Sequence, residues 1–305
     1  MLAVTGVPRV GRGILYANVA VVLFGLAGVL GKLSGLPSPL IVLGRVVFAG
    51  LTLGAVEARA GQVTWPVRWR EWLALCAPGI LLAAHWTSFF ESINVSNVAI
   101  GLLSYSSFPL FTALIEPRVF GQRASRVQTA GGLVSLLGVY LLVPTFSLTD
   151  STTLGVIWGV VAGATFAGLS VSNRWLRRSY SSVTISFSQD LVAALVLLPA
   201  FVIVHPTNPI VLRQVLLLVV LGVLCTAVAH TLFIEGMRDI SAQLASLTGS
   251  IEPIWGIVIA LVLLNEVPSG RTLVGGAIIL SATLIPTIVA LRPITPKREA
   301  SRVTD

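Results

Sequence analysis

Long apolar stretches alternate with short polar breaks along this chain, and the length of the stretches sets the first expectation. Runs of roughly 17 to 25 apolar residues, wound as helices, match the hydrocarbon thickness of a bilayer. Delimited by Pro, Gly or charge, such runs predict ten spans, near residues 13–34, 38–56, 72–92, 97–115, 126–143, 154–174, 183–204, 212–236, 241–264 and 271–291. A stretch such as Leu191 to Val204 offers no charged face to water. The predicted fold is therefore an all-α integral membrane protein of ten transmembrane helices.

Composition and charge sharpen this picture. The 305 residues are 55% hydrophobic and only 10% charged, against about a quarter charged in ordinary soluble domains. The 20 Lys and Arg outnumber the 12 Asp and Glu, but they lie between the apolar runs and at the two ends, not in a nucleic-acid-binding tract. With the N-terminus inside, sixteen fall on the inner side, only Lys32, Arg213 and Arg271 fall outside, and Arg45 sits within the second span. That positive-inside bias predicts an even number of spans with both termini cytoplasmic. Arg9 and Arg12 precede the first apolar run without a small-residue cleavage site, so that run reads as a retained helix. Cys76 and Cys225, each inside an apolar segment, read as small buried hydrophobes. Trp65, Trp69 and Trp72, interleaved with Arg68 and Arg70, read as an interfacial anchor at the inner surface.

The chain also resembles itself. A shift of 142 aligns Gly13, Phe24 and Lys32 with Gly155, Phe166 and Arg174; a shift of 144 superposes Glu91 on Glu235, Pro109 on Pro253, and Gly131-Gly132 on Gly275-Gly276. The expected organisation is a first five-helix repeat at 1–148, a second at 149–292, and a cytoplasmic tail at 293–305. Five spans per repeat is odd, so the second copy enters the membrane from the opposite side, and the repeats are inverted. Inverted repeats suit secondary transporters, because two similar halves of opposite orientation can expose one central site to each face in turn.

These residues resemble the EamA-type members of the drug/metabolite transporter superfamily. The resemblance runs over nearly the whole chain and rests on Arg45 in Gly44-Arg45-Val46-Val47-Phe48-Ala49, on Glu252-Pro253-Ile254, on Leu264-Asn265-Glu266 and on Gly275-Gly276. Where such families commonly carry a Gly-Glu pair before the tenth span, this chain has Asn265-Glu266, and Gly121-Gln122 in the first repeat. The resemblance implies export of small metabolites across a bacterial inner (cytoplasmic) membrane. Within the superfamily the chain looks most like amino-acid exporters, including YddG-like exporters of aromatic amino acids, given His85-Trp86 and Tyr105.

Polar groups at membrane depth are costly and normally face a cavity or a partner. Substrate-binding candidates are Asn18, His85, Trp86, Tyr105, Trp158, Phe166, Ser246 and Glu252; Asp190, Glu252 and His85 are candidates for carrying a proton or balancing charge. Each has a structural alternative: the carboxylates could pair with a cation or cap a broken helix, and His85 could be a satisfied core side chain. Pro109, Pro253, Gly249 and Gly256 are read as hinge or packing positions, since Pro frees a carbonyl one turn earlier. Arg45 is read as a structural cation that pairs with a carboxylate or a helix end. His230 is a weaker candidate.

Rival functions lack their chemistry. There is no G-x-x-x-x-G-K-[ST] phosphate cradle, no H-E-x-x-H, no G-x-S-x-G and no Asp-rich metal cluster. The sequence thus predicts no cofactor, no metal, no nucleic acid and no enzymatic activity. The expected partners are a small-molecule substrate and the lipid bilayer, and a monomer suffices because one chain supplies both halves. Export of cationic drugs or other metabolites stands as the alternative within the superfamily, and a membrane enzyme or channel outside it.

Overall fold

The computed structural model describes residues 9–60, 68–121, 123, 126–143, 145, 147–204 and 209–291. The predicted tail at 293–305 and Trp65 lie outside these residues. Among them the chain is helical throughout. Its helices are α1 (Arg9–Ser34), α2 (Ser38–Ala60), α3 (Trp69–Val95), α4 (Val98–Tyr105), α5 (Phe108–Phe120), α6 (Arg126–Leu142), α7 (Ser151–Leu176), α8 (Ser182–Ile203), α9 (Leu212–Gly222), α10 (Ala229–Gly236), α11 (Ala242–Gly249), α12 (Glu252–Leu264) and α13 (Gly270–Leu291), with a π-helical turn at Val223–Val228 joining α9 to α10. Eight segments are long and apolar enough to cross a membrane, counting α4–α5 and α9–α10 as one each and Leu247–Leu264 as another. α6 and α13 carry shorter apolar stretches, Thr129–Leu142 and Gly270–Ala282.

Three predicted spans are interrupted, two of them beside a Pro. The fourth breaks at Ser106-Ser107 and the ninth at Ser250-Ile251. In both a Pro stands at the start of the second segment, Pro109 and Pro253, and its missing N–H cannot bond back into the first. The two breaks are 144 residues apart, so the halves of the chain interrupt the same span at the same place. The second segments also end alike, with Gly121 (φ 65°) and Asn265 (φ 55°) in the left-handed conformation. That conformation suits Gly, and Asn is the next most tolerant residue. The eighth span holds the π-helical turn.

Packing joins the two halves. α3 lies along α7 and α1 along α10; α1 lies along α12 and α7 along α4 and α5; α2 meets α8, and α6 meets α13. Each of these contacts links residues before 148 to residues after it, and each survives exchange of corresponding spans between the halves. Close approach needs small residues. A Cβ on Gly25 of α1 would come within 2.8 Å of Gly256 N on α12, and one on Gly138 of α6 within 2.6 Å of Gly275 O on α13. The core between the halves is aromatic and aliphatic, with Phe89, Phe90, Tyr105, Phe108, Phe166 and Phe233 all buried.

Candidate functional site

A cavity of about 20 Å³ lies at the centre, between α1, α2, α3, α4, α7, α10 and α12. Its walls include Phe24, Arg45, His85, Trp86, Phe89, Tyr105, Phe166, His230 and Glu252. That volume holds about one water, far less than an amino acid. The described state is contracted around its centre.

The rings make a continuous cluster. Tyr105 stands 5.4 Å from His85, 5.4 Å from Phe89, 5.0 Å from Phe108 and 5.5 Å from Phe166, centroid to centroid. The break after α4 brings these rings together, because it leaves Tyr105 and Phe108 side by side on either flank of the Ser-Ser turn. On α3, His85 Nδ1 lies 2.9 Å from the Ala162 carbonyl. A carbonyl only accepts, so Nδ1 carries a proton and Nε2 is left for a different partner.

Charge enters from three elements. Arg45, 1% exposed on α2, lies with its guanidinium 3.9 Å from the Trp86 ring centroid. Arg45 Nε donates to Thr226 Oγ1 at 2.8 Å and Nη2 to the Cys225 carbonyl at 3.0 Å. The π-helical turn makes both acceptors available, and Thr226 Oγ1 in turn donates to Leu221 O at 2.7 Å. Glu252 opens α12, where the helix dipole favours a carboxylate. Asp190 on α8 is fully buried, and neither carboxylate oxygen has a hydrogen-bond partner among the described residues. Both carboxylates lie within the electrostatic reach of Arg45.

Of the residues singled out from sequence, His85, Trp86, Tyr105, Phe166 and Glu252 line this cavity. Asp190 is not among the residues that line it. Pro109 and Pro253 start the second segments, Gly249 packs under Phe108 with room for a Cβ only at 3.0 Å from its Cζ, and Gly256 faces Gly25. Asn18 and Trp158 sit elsewhere. Asn18 Nδ2 donates to Ile14 O of its own helix, and Trp158 is 39% exposed. The face of α7 that packs inward is Gly155, Gly159 and Gly163, and Trp158, one residue off that stripe, points away from it. Ser246 lies on α11, and its side chain is outside the described residues.

Sequence reading did not place Arg45, Phe24 or Phe89 in the cavity and held His230 only as a weaker candidate. Arg45 was expected to pair with a carboxylate or helix end. Instead it bonds the π-helical turn, a feature with no sequence signature here. His230 has both ring nitrogens buried without a hydrogen-bond partner among the described residues and lies 5.6 Å from Trp86, centroid to centroid. Cys225 is buried as expected, whereas Cys76 is only half-buried.

Polar contacts close both ends of the cavity. At one end, Lys32 Nζ pairs with Glu266 at 2.8 Å and donates to the Ser96 carbonyl at 3.1 Å. Glu266 also accepts from Val98 N, capping α4. At the other end Arg174 pairs with Glu116, Arg177 with Glu235 at 2.9 Å and Arg12 with Asp239 at 2.9 Å. Arg177 caps α7, and burial lowers its guanidinium pKa while Glu235 opposes that shift. Lys32 and Arg174, which superpose at the shift of 142, each tie the first helix of one half to the broken helix of the other. Among the described residues no cluster of His, Cys, Asp and Glu has the makings of a metal site.

The EamA-like transporter family matches twice, over residues 11–143 and 153–288. The chain belongs to that family. The two successive EamA matches fit a two-repeat fold, and multi-pass membrane character follows from the family. Relatives with EamA-like sequence include the uncharacterized transporter YxxF of Bacillus subtilis, 24% identical over 79% of this chain and 78% of that one. The pseudopaline exporter CntI of Pseudomonas aeruginosa is 26% identical over 69% and 73%. A probable terminal-alkyne amino-acid exporter of Streptantibioticus cattleyicolor is 25% identical over 85% and 86%. A solved crystal structure, 20% identical, superposes with a TM-score of 0.71 over 93% of this chain and 98% of the other, so the fold is shared with it.

Proposed function

We propose that this EamA protein is a secondary transporter that exports small metabolites, foremost amino acids including aromatic ones, by alternating access through the central cavity. The observation that carries this reading is the cavity itself: an aromatic cluster around Tyr105 with a cation, Arg45, and a carboxylate, Glu252, among its walls. Aromatic faces suit an apolar ring or an ammonium. Broken helices that start beside a buried cavity are a common device of transporter binding sites. The similarity to a probable amino-acid exporter supports the same class.

Alternation would follow from inverted repeats. Each half has five spans, the inter-half contacts survive exchange of the halves, and the ion pairs of Lys32 and Arg174 stand at equivalent places on opposite ends. Ten spans with both termini cytoplasmic, in a bacterial inner membrane, complete this reading, and one chain supplies both halves. Asp190, Glu252 and His85 are the groups proposed to carry a proton or balance charge.

The test is uptake of labelled aromatic and aliphatic amino acids into proteoliposomes, with and without a pH gradient. Saturable flux that falls at least about tenfold in Tyr105→Ala and Glu252→Gln, each removing a wall of the cavity, is the expected result. Absence of flux for every amino acid would overturn the substrate assignment and direct the search to cationic drugs and other metabolites.

A further inference from the structure

We propose that Arg45 is the carboxylate-recognising residue of this cavity and that Glu252, with the aromatic walls, receives an ammonium, so that the ligand class is a zwitterion carrying both groups at one end. This rests on the carrier reading above and deepens it.

The argument begins with an imbalance. Arg45 is buried at membrane depth, yet among the described residues no carboxylate oxygen lies within 4.0 Å of it. A desolvated guanidinium without a close counter-ion is costly, and a neutral hydroxyl and a carbonyl compensate it only in part. Its recorded bonds use the Nε–H and one Nη2–H. Three of five donors therefore remain for another acceptor. Trp86 lies against the guanidinium, 3.9 Å from Cζ to ring centroid, and the bonds to Thr226 and Cys225 fix which edge of the fork is used. A planar fork with free donors, held over a ring and lining a cavity, matches a carboxylate in geometry and charge.

The second charge is placed to complement it. Glu252 lines the same cavity and lies within electrostatic reach of Arg45 without forming a direct pair. A ligand with a carboxylate and an ammonium on the same carbon satisfies both groups with no net charge moved into the membrane. An amine alone would leave Arg45 unbalanced, and an acid alone would leave Glu252 so. The ring cluster of Phe89, Tyr105 and Phe166 then takes the ligand's apolar part. Because the cavity is contracted, the halves must part before the ligand enters.

Three probes separate the two charges: phenylalanine, phenethylamine, which lacks the carboxylate, and 3-phenylpropionate, which lacks the ammonium. Each competes with labelled phenylalanine for uptake by the full-length protein in proteoliposomes. Wild type is expected to prefer phenylalanine to either analogue by roughly 30-fold, the scale for removing one partner of a buried charge pair. Arg45→Lys keeps the charge but loses the fork, and is expected to lose roughly tenfold against phenylalanine and little against phenethylamine. Glu252→Gln is expected to weaken phenethylamine and spare 3-phenylpropionate.

Phenethylamine competing as well as phenylalanine in wild type would overturn the proposal without any variant. So would unchanged selectivity in an Arg45→Lys protein that elutes as a monodisperse peak. Either result, with phenylalanine flux intact, sinks the charge assignment and leaves the carrier standing. No phenylalanine flux in wild type sinks both.

Discussion

Lys32 and Glu266, 2.8 Å apart, tie the end of α1 to the end of α12, and through Val98 N the same carboxylate holds the start of α4. One acidic side chain thereby links three elements at one mouth of the cavity. Its counterpart at the other mouth is Arg174 with Glu116, backed by Arg177 with Glu235 and Arg12 with Asp239. In an alternating carrier these are latches, and the mouth with fewer pairs opens more readily.

Glu266→Gln is expected to loosen the first mouth. Loss of a partly exposed pair is worth about 1 kcal/mol, a factor of about five in the populations of closed and open forms. The measurement is external maleimide labelling of Ser92→Cys, buried beneath that mouth, in a chain with Cys76 and Cys225 replaced by Ala. Faster labelling in Glu266→Gln and slower or unchanged labelling in Glu116→Gln is the expected pattern. Equal effects of the two would mean that the pairs serve stability alone.

Thr226→Val removes the acceptor for Arg45 Nε and the donor to Leu221 O. A buried donor without a partner costs about 1–3 kcal/mol. The melting temperature in detergent should fall, and Thr226→Ser should restore most of it. A Thr226→Val protein as stable as wild type would show that Arg45 does not depend on the π-helical turn.

Gly256→Leu drives a side chain into the crossing of α1 and α12, where a Cβ at this position already meets Leu102 Cδ1 at 2.1 Å and the Gly25 carbonyl at 3.3 Å. Overpacking of this kind costs about 1–3 kcal/mol. A lower melting temperature and reduced flux are expected together, and Gly256→Ala should be milder.

How far the sequence carried these expectations depends on the kind of signal. Spans were legible because apolar length is written directly in the residues: α1, α2, α7 and α13 start within a few residues of their predicted limits. The equivalence of Pro109 and Pro253 was legible too, since Pro is rare and its effect local. The breaks beside them were not drawn, because the apolar run continues through Ser106-Ser107 and Ser250-Ile251, and hydropathy does not record a lost backbone bond. His85, Trp86 and Tyr105 could be singled out as polar or aromatic groups at depth. Their meeting depended on α3 and α4 packing on α7 through Gly155, Gly159 and Gly163, a tertiary fact. Phe166 lies in line with that stripe, whereas Trp158 lies about 80° around the helix from Phe166 and off it. Arg45 in the cavity required the π-helical turn, which nothing in Val223–Val228 announces.

Asp190→Asn replaces a buried carboxylate, whose oxygens have no hydrogen-bond partner among the described residues, with a neutral isostere. Removing an unpartnered charge should leave the melting temperature unchanged or raise it. If Asp190 carries a proton, the response of flux to a pH gradient should disappear while flux without a gradient persists. A large loss of stability would instead identify Asp190 as a structural counter-ion of Arg45.

The central claim, one site exposed alternately to two sides, is tested most directly by exchange. Proteoliposomes loaded with unlabelled phenylalanine are diluted into a trace of labelled phenylalanine, and entry is compared with that into empty vesicles. The account predicts entry several-fold faster into loaded vesicles, saturating with external substrate, because a loaded carrier returns with cargo. Equal, unsaturable entry into loaded and empty vesicles would contradict it and indicate a channel.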